Sequence, residues 1–337
     1  MTDAVLVVGP SWVGDMVMAQ SLFMRIRERR PAAPIDVLAP GWSLPLIARM
    51  PQVRKGIEMP LGHGAFGFGE RRRLGRSLLP QRYAQAIVLP GSWKSALVPF
   101  FADIPRRTGF RGEMRYGLLN DIRPLDQQAL KTTVQRFVAL AEDGPVRDAP
   151  AIPTPRLAAD GVLGSALVAK LGLDEAKAVG LMPGAEYGPA KQWPAEYYGE
   201  LAKVLAQSGA QPWVFGSARE VELGEQIRAL SGGQAVNLCG KTQLADVVDL
   251  AARCRAVVSN DSGLMHVAAA AGVPVVALYG SSTPDFTPPL TARKHIHYLR
   301  LSCSPCFERT CPLFHYNCLR QISPAAVRDS LKGLAGI

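Results

Sequence analysis

The sequence lacks any hydrophobic run long enough to cross a bilayer. It also lacks, at its start, the basic segment and apolar stretch that mark a secretory signal. The most apolar window, residues 264–278, is interrupted by a histidine, a glycine and a proline, and is shorter than the roughly 20 residues that a membrane-spanning helix needs. Internal repeats and low-complexity segments are absent as well. We therefore expect a cytoplasmic, globular protein.

Acidic residues are scarce in the first half of the chain. Residues 1–170 hold 23 Lys and Arg against 14 Asp and Glu, whereas residues 171–337 hold 15 against 14. A basic half indicates a large anionic partner, such as nucleic acid, anionic lipid headgroups or a phosphorylated glycolipid; a solvated basic surface is the alternative. Because the interleaved aromatic residues of RNA-binding modules are missing, we do not expect nucleic acid. The basic clusters are Arg71, Arg72, Arg73 and Arg76, and Arg106, Arg107, Arg111 and Arg115.

A length of 337 residues exceeds what one hydrophobic core usually serves, so two domains are expected. Short apolar runs that alternate with helical stretches predict parallel strands joined by crossover helices, which is an α/β fold. The first strands are predicted at residues 4–8, 35–39 and 86–89, and a second series at 179–182, 212–215, 256–259 and 273–278. The proline-rich stretch 143–155 is typical of a linker.

We therefore predict two Rossmann-like domains that face each other across a cleft. The first covers residues 1–155 and the second residues 156–323. The remaining segment, 324–337, is predicted to be a helix that could pack back on the first domain.

The turn after the first predicted strand, Gly9-Pro-Ser-Trp-Val-Gly-Asp15, carries an acidic residue into the first turn of a helix. Ligands of such folds bind at the carboxyl ends of the strands, where this turn lies. The turn is neither the Gly-x-Gly-x-x-Gly fingerprint nor a P-loop. Asp15 is therefore either a catalytic base or a residue that stabilises the helix N-terminus, by roughly 0.3–1 kcal/mol.

Two turns of the second domain carry single charged residues. The turn that begins with Pro183 and Gly184 is rich in Gly and Pro, and its Lys191 is either a phosphate contact or an ordinary surface lysine. After the next strand, Glu220 either binds the ribose hydroxyls of a nucleotide or favours the N-terminus of the following helix.

A third turn of the second domain, Ser259-Asn-Asp-Ser-Gly-Leu-Met-His266, gives the sharpest signal. Asp261 and Ser262 are both good helix N-caps, and Gly263 lets backbone N–H groups approach a diphosphate. Because an unpaired carboxylate beside a diphosphate would be repelled, we expect Asp261 to accept hydrogen bonds from sugar hydroxyls. His266 is either a further ligand contact or a core histidine.

Four of the six cysteines lie in one segment, as Cys303-x2-Cys306-x4-Cys311-x6-Cys318. In a reducing compartment such clusters favour a metal over a disulfide, and Cys-x2-Cys is a good zinc half-site, although the second pair is oddly spaced. A structural metal such as zinc, reduced packed thiols, and a disulfide or redox pair remain three alternatives. We expect no catalytic role for these cysteines.

Several blocks of the sequence resemble the ADP-heptose:lipopolysaccharide heptosyltransferases of type II, which belong to glycosyltransferase family 9. They are residues 9–18 (GPSWVGDMVM), 59–65 (MPLGHGA), 111–121 (RGEMRYGLLND), 183–191 (PGAEYGPAK), 260–266 (NDSGLMH) and 282–290 (STPDFTPPL). The resemblance extends to about residue 290. The cysteine segment departs from the family, which leaves its role outside the resemblance.

The resemblance implies a GT-B fold with an acceptor-binding first domain and a donor-binding second domain. It also implies inverting transfer of L-glycero-D-manno-heptose from ADP-heptose to the first heptose of the lipopolysaccharide inner core, on a heptosyl-Kdo2-lipid A acceptor. No metal cofactor is required for this reaction. Heptosyltransferase I or III, or another GT-B sugar-nucleotide enzyme, is the alternative. We further expect peripheral contact with the cytoplasmic face of the inner membrane.

Residue by residue, the resemblance makes Asp15 the general base, Lys191 a diphosphate contact and Asp261 a heptose contact. The remaining donor-binding candidates are Ser262, Gly263, His266, Glu220 and Gly184. The acceptor-binding candidates are Arg111, Arg115 and Lys94.

Overall fold

The computed structural model describes residues 3–62 and 64–337, so His63 of the 59–65 block lies outside the described residues. The chain divides into two compact units, with the division between Pro155 and Arg156. The proline-rich stretch 143–155 forms neither helix nor strand.

The first unit is built on six parallel strands in the spatial order β3-β2-β1-β4-β5-β6. The strands are β1 (Val5–Val8), β2 (Ile35–Pro40), β3 (Lys55–Met59), β4 (Gln85–Val88), β5 (Arg106–Phe110) and β6 (Asp121–Arg123). The helices are α1 (Val13–Arg29), α2 (Leu44–Ile47), α3 (Phe68–Ser77), α4 (Leu97–Phe101) and α5 (Thr133–Ala139).

The second unit repeats this plan with six parallel strands in the order β12-β11-β10-β7-β8-β9. The strands are β7 (Ala178–Met182), β8 (Gln211–Val214), β9 (Val236–Asn237), β10 (Ala256–Asn260), β11 (Val275–Tyr279) and β12 (Lys294–Tyr298). The helices are α6 (Gly161–Leu171), α7 (Ala195–Gln207), α8 (Val221–Leu230), α9 (Leu244–Ala251), α10 (Gly263–Ala270), α11 (Asn317–Arg320) and α12 (Pro324–Ala335).

The central strands of both sheets are buried and mostly apolar because helices cover both faces of each sheet. Every residue of β1, β4, β7, β10 and β11 is buried. The edge strands β3 (KGIEM) and β12 (KHIHY) are polar and partly exposed. The core of each unit therefore lies on the two sides of its central strands.

Both sheets have the same doubly wound topology, in which the strand order reverses next to the first strand of the unit. The reversal lies between β1 and β4 in the first unit, and between β7 and β10 in the second. In open α/β sheets, ligands bind at this switch point, beyond the carboxyl ends of the two strands. The turns that follow β1, β4, β7 and β10 are therefore the places where a site is expected.

The C-terminal helix α12 packs within the second unit. Its Val327 and Leu331 are fully buried in the same core cluster as Trp193, and the Trp193 indole donates to the carbonyl of Ile322 at 2.8 Å. The apolar face of this helix is thus buried in the second unit, and its predicted packing on the first domain stays a prediction. Among residues 3–62 and 64–337, no helix is both long and apolar enough to cross a membrane.

Candidate active site

An ion pair spans the switch point of the second unit. Lys191, from the turn after β7, donates from Nζ to Asp261 Oδ2 at 2.6 Å, and Asp261 directly follows β10. Ser282, which follows β11, donates to the same carboxylate oxygen at 2.5 Å. Asp261 is only 5% exposed. Two donors therefore satisfy its buried charge, and the three side chains form one polar cluster.

The N-terminus of α10 begins beside this cluster. Ser262 is its N-cap residue and Gly263 its first helical residue. The first backbone N–H groups of a helix have no partner inside the helix and carry a partial positive charge, so they favour an anion. Together with the Lys191 ammonium, this geometry suits the binding of a phosphate.

His266 lies one turn further along α10 and is 5% exposed. Burial lowers the pKa of His266 to about 4, and the neighbouring Lys191 charge also lowers it, against a raising effect of Asp261. His266 is therefore neutral at pH 7. This burial fits the core-histidine alternative; a contact with a ligand stays a prediction.

Glu220 is held against the glycine of the Lys191 turn. Its Oε2 accepts a hydrogen bond from the Ser217 backbone N–H at 2.6 Å, within a capping box that closes the start of a helical turn. A Cβ on Gly184 would lie 1.7 Å from Glu220 Oε1. Glycine at position 184 therefore allows the Glu220 carboxylate to lie beside the loop. The hydrogen bond to the Ser217 N–H also agrees with the alternative that Glu220 favours the N-terminus of the following helix.

Asn260 is a site residue that the sequence alone does not predict. It is fully buried at the end of β10, and its Nδ2 donates to the Pro183 carbonyl at 2.6 Å. Its Oδ1 accepts from the Trp193 backbone N–H and from the Tyr198 hydroxyl, both at 3.1 Å. Asn260 thus ties both ends of the Lys191 turn to β10. The partners are more than 60 residues away in sequence, so no local pattern indicates this role.

In the first unit, Asp15 occupies the first turn of α1, the helix that follows the turn after β1. The N-cap position belongs to Trp12, so Asp15 is not the capping residue itself. Its side chain is partly exposed at the switch point of the first sheet. The position suits a base that meets a ligand at this edge.

Lys94 and Arg111 also lie beyond the carboxyl edge of the first sheet. Lys94 follows β4 and donates from Nζ to the Gly64 carbonyl at 2.8 Å. Arg111 follows β5 and is exposed. Both remain candidates for the acceptor.

Arg115 does not fit the predicted acceptor role. It is 2% exposed, and its guanidinium donates to the carbonyls of Pro90 and Phe110 at 2.6 and 2.5 Å. Burial lowers the pKa of Arg115, against a smaller raising effect of Glu113. The residue joins the loop after β5 to the turn after β4. Because its guanidinium is buried and already hydrogen-bonded to backbone carbonyls, it is not accessible to a large glycolipid.

The first basic cluster separates into a buried and an exposed part. Arg71 is 6% exposed and donates to the backbone carbonyls of Phe66, Ala65 and Lys94, at 2.7, 3.2 and 3.3 Å. Arg72, Arg73 and Arg76 are exposed on the outer face of α3. Arg71 therefore holds the loop before α3, and the other three form a basic surface.

All six cysteines are free thiols. Cys239 and Cys254 are buried, as expected for small apolar residues, and burial raises the pKa of each thiol. Among the described residues, which include Cys303, Cys306, Cys311 and Cys318, no group of three or more His, Cys, Asp or Glu is arranged to hold a metal ion. The four clustered thiols are free in this structure, and a structural metal and reduced packed thiols both stay predictions for this segment.

The model of glycosyltransferase family 9 (heptosyltransferase) matches residues 71–317. The chain belongs to this family. Lipopolysaccharide heptosyltransferase 2 of Salmonella typhimurium strain LT2 is 50% identical over 341 residues, which cover 98% of each chain. Lipooligosaccharide heptosyltransferase 2 of Haemophilus influenzae strain Rd is 49% identical over 304 residues, or 87% of each chain.

The structure of E. coli ADP-heptose LPS heptosyltransferase II matches with a TM-score of 0.89 at 46% identity, over 99% of this chain and 98% of that one. The chain is therefore a glycosyltransferase, and the predicted GT-B fold class and the resemblance to type II heptosyltransferases are confirmed. One expectation is wrong: the family match extends beyond residue 290 and includes Cys303, Cys306 and Cys311.

Proposed function

We propose that this glycosyltransferase moves L-glycero-D-manno-heptose from ADP-heptose to the first heptose of the lipopolysaccharide inner core, with inversion and release of ADP. The relatives named above support this function, since two of them are heptosyltransferases of type 2 that share about half of their residues with this chain. The observation that carries it is the Lys191–Asp261 ion pair beside the N-terminus of α10, a cluster that we infer binds both a phosphate and a sugar.

We assign the proton transfer to Asp15. In a single displacement, the acceptor hydroxyl oxygen attacks the anomeric carbon on the face opposite ADP, the bond from that carbon to the diphosphate oxygen breaks, and the hydroxyl proton passes to the Asp15 carboxylate. General-base assistance of this kind typically contributes 10²–10⁴-fold to the rate.

We assign stabilisation of the departing ADP to Lys191 and the first N–H groups of α10. Negative charge grows on the diphosphate as the bond breaks, and donors held in place before the reaction stabilise it most effectively. Both hydrogen bonds to Asp261 end on Oδ2, so we assign its Oδ1 to a hydroxyl of the heptose. In this way Asp261 orients the lysine and the sugar together, and the lysine shields its charge from the diphosphate.

These groups supply the charge stabilisation that a divalent cation supplies in other transferases. We therefore propose that transfer requires no metal ion. Dialysis against a chelator should leave the transfer rate unchanged. Loss of the rate without a change in the thermal midpoint, with recovery on addition of a metal, would contradict this proposal.

We propose that the first unit contacts the anionic surface of the membrane that carries the acceptor, and that the protein works on the cytoplasmic side of the inner membrane. The contact surface is the outer face of α3, with Arg72, Arg73 and Arg76 exposed next to Phe66 and Phe68, which are 52% and 44% exposed. Exposed aromatic rings beside basic side chains are typical of segments that lie at a lipid interface.

The acceptor requirement tests the proposed function. Purified protein should transfer heptose from ADP-heptose to Kdo2-lipid A that already carries one heptose, and not to Kdo2-lipid A that carries none. Transfer to the unheptosylated acceptor would indicate a type I activity instead. Absence of transfer to either acceptor would favour heptosyltransferase III or another GT-B sugar-nucleotide enzyme.

A further inference from the structure

The segment that carries the clustered cysteines is fastened to the Lys191 turn. The backbone N–H of Ala190 donates to the Arg309 carbonyl at 3.0 Å, and the Tyr187 hydroxyl donates to the Phe307 carbonyl at 2.5 Å. A Cβ on Gly188 would lie 2.5 Å from the Arg309 carbonyl oxygen, so a glycine is needed for this close approach. Residues 307–309 therefore move with the turn that holds the lysine.

The same segment is also joined to the loop that holds Ser282. The Phe307 backbone N–H donates to the Ser281 carbonyl at 2.7 Å, and Ser304 Oγ donates to the Gly280 carbonyl at 2.5 Å. The segment is thus connected to two of the loops that build the Lys191–Asp261 cluster. Its position in the second unit is fixed by four hydrogen bonds with the candidate site.

One aromatic ring brings a second cation to the site. Lys191 Nζ lies 5.1 Å from the centroid of the Tyr187 ring, and the guanidinium carbon of Arg309 lies 5.2 Å from the same centroid. Both distances are within the range of a cation–π interaction. Arg309 is exposed, and none of the ion pairs among the described residues involves it.

A further cation would help this site to bind a diphosphate. The Asp261 carboxylate balances the Lys191 ammonium at 2.6 Å, and His266 is neutral at pH 7 because burial lowers its pKa to about 4. Among these groups, the partial charge at the N-terminus of α10, roughly half an elementary charge, is then the main positive charge that remains for a diphosphate. A guanidinium presents a planar set of donors that matches phosphate oxygens, and it stacks on aromatic rings, as Arg309 does here.

We propose that Arg309 is a second diphosphate-binding residue of the donor site, held there by the Tyr187 ring that Lys191 also contacts. The proposal rests on the function proposed above, because it takes Lys191 to mark the diphosphate position. It also gives the cysteine segment a role, which is to position the backbone of Arg309 against the Lys191 turn. The ligand class is a nucleoside diphosphate.

Titration calorimetry with ADP and with adenosine tests this proposal. Arg309→Ala should weaken ADP binding roughly tenfold to a hundredfold, as expected for loss of a charge-assisted contact, and should leave adenosine binding unchanged. Arg309→Lys should lose less than the alanine variant. Arg320→Ala, at an exposed arginine two residues after Cys318, is the matched control and should bind ADP like the wild type.

Lys191→Ala separates the two proposals. If it weakens ADP binding while Arg309→Ala does not, the Arg309 assignment is wrong and the donor site stands. If neither variant changes ADP affinity, the diphosphate position proposed above is itself wrong. Equal losses for ADP and adenosine in Arg309→Ala would also contradict the proposal, because a direct phosphate contact cannot affect a ligand without phosphate.

Discussion

Gly184 and Glu220 show how a single missing side chain shapes the site. An alanine at position 184 would place its Cβ 1.7 Å from Glu220 Oε1, so the carboxylate would have to leave its place beside the loop. If Glu220 binds the ribose, Gly184→Ala should weaken adenosine binding about tenfold, the effect of losing one charge-assisted hydrogen bond. Calorimetry measures this, with Gly333→Ala as control because its Cβ would meet no atom within 4 Å. Unchanged adenosine affinity in Gly184→Ala would contradict the ribose assignment.

His266 makes stability depend on pH. Burial lowers the pKa of His266 in the folded protein from 6.5 to about 4. Between pH 4 and pH 6.5 the unfolded chain therefore binds more protons than the folded protein does. The free energy of unfolding therefore falls as the pH is lowered from about 6.5 to about 4, and one group contributes at most about 1.4 kcal/mol per pH unit. Urea unfolding across this range should show a weaker pH dependence for His266→Gln than for the wild type. Identical slopes would mean that His266 is not buried as a neutral group.

Among the site residues, the charged ones are easier to predict from the sequence than the neutral ones. Lys191, Asp261 and Asp15 could be selected because each lies in the turn or the first helical turn after a predicted strand, where ligands of α/β folds bind. Asn260 and Ser282 lie at equivalent positions, but a small polar residue in a turn has an ordinary local explanation. Their importance depends on partners brought close only by the tertiary fold.

The turn between β7 and α7 depends on one buried amide at the end of β10. Asn260→Ala would leave the Pro183 carbonyl and the Trp193 N–H without their partner, and each unsatisfied buried group costs about 1–3 kcal/mol. We expect the free energy of unfolding to fall by about 3 kcal/mol in urea titrations. Gln234→Ala, at an exposed position, should change it by less than about 0.5 kcal/mol. A loss as small as that of the control would show that Asn260 does not hold the turn.

The outer face of α3 provides a second prediction for one element. Replacing Arg72, Arg73 and Arg76 by serine should weaken partition onto anionic vesicles by roughly a hundredfold, since each basic group near such a surface contributes about 1 kcal/mol. The matched control replaces Arg219, Arg228 and Arg320, three exposed arginines of the second unit, by serine. Equal losses in both triple variants, measured by vesicle sedimentation, would point to net charge rather than this face.

Central and edge strands differ in how far the sequence predicts them. The strands β1, β2, β4, β7, β8, β10 and β11 are all predicted within two residues of their observed ends. They form apolar runs because both sheet faces are covered. The strands β3 and β12 are missed because their edge positions allow polar residues, and β6 and β9 because they span only three and two residues. These elements are therefore defined by their place in the sheet rather than by an apolar run.

At the scale of the whole molecule, the charge asymmetry and the two sheets can be predicted from the sequence. The central proposal is that the first unit binds the acceptor and the second unit binds the donor. The basic first unit carries Asp15, and the second unit carries the Lys191–Asp261 cluster. If the units bind acceptor and donor respectively, changes at Asp15 should affect the transfer rate without affecting ADP binding. Changes in the Lys191–Asp261 cluster should affect both.

The rate of transfer by Asp15→Asn, measured beside its affinity for ADP, tests this most directly. With saturating ADP-heptose and heptosylated Kdo2-lipid A, we expect kcat to fall by about 10²–10⁴-fold, the usual contribution of a general base, while the dissociation constant of ADP stays at the wild-type value. Asp148→Asn, at an exposed position of the first unit, should keep the wild-type rate. A wild-type rate in Asp15→Asn, or a loss of rate explained entirely by weaker ADP binding, would contradict the assignment of Asp15 as the base.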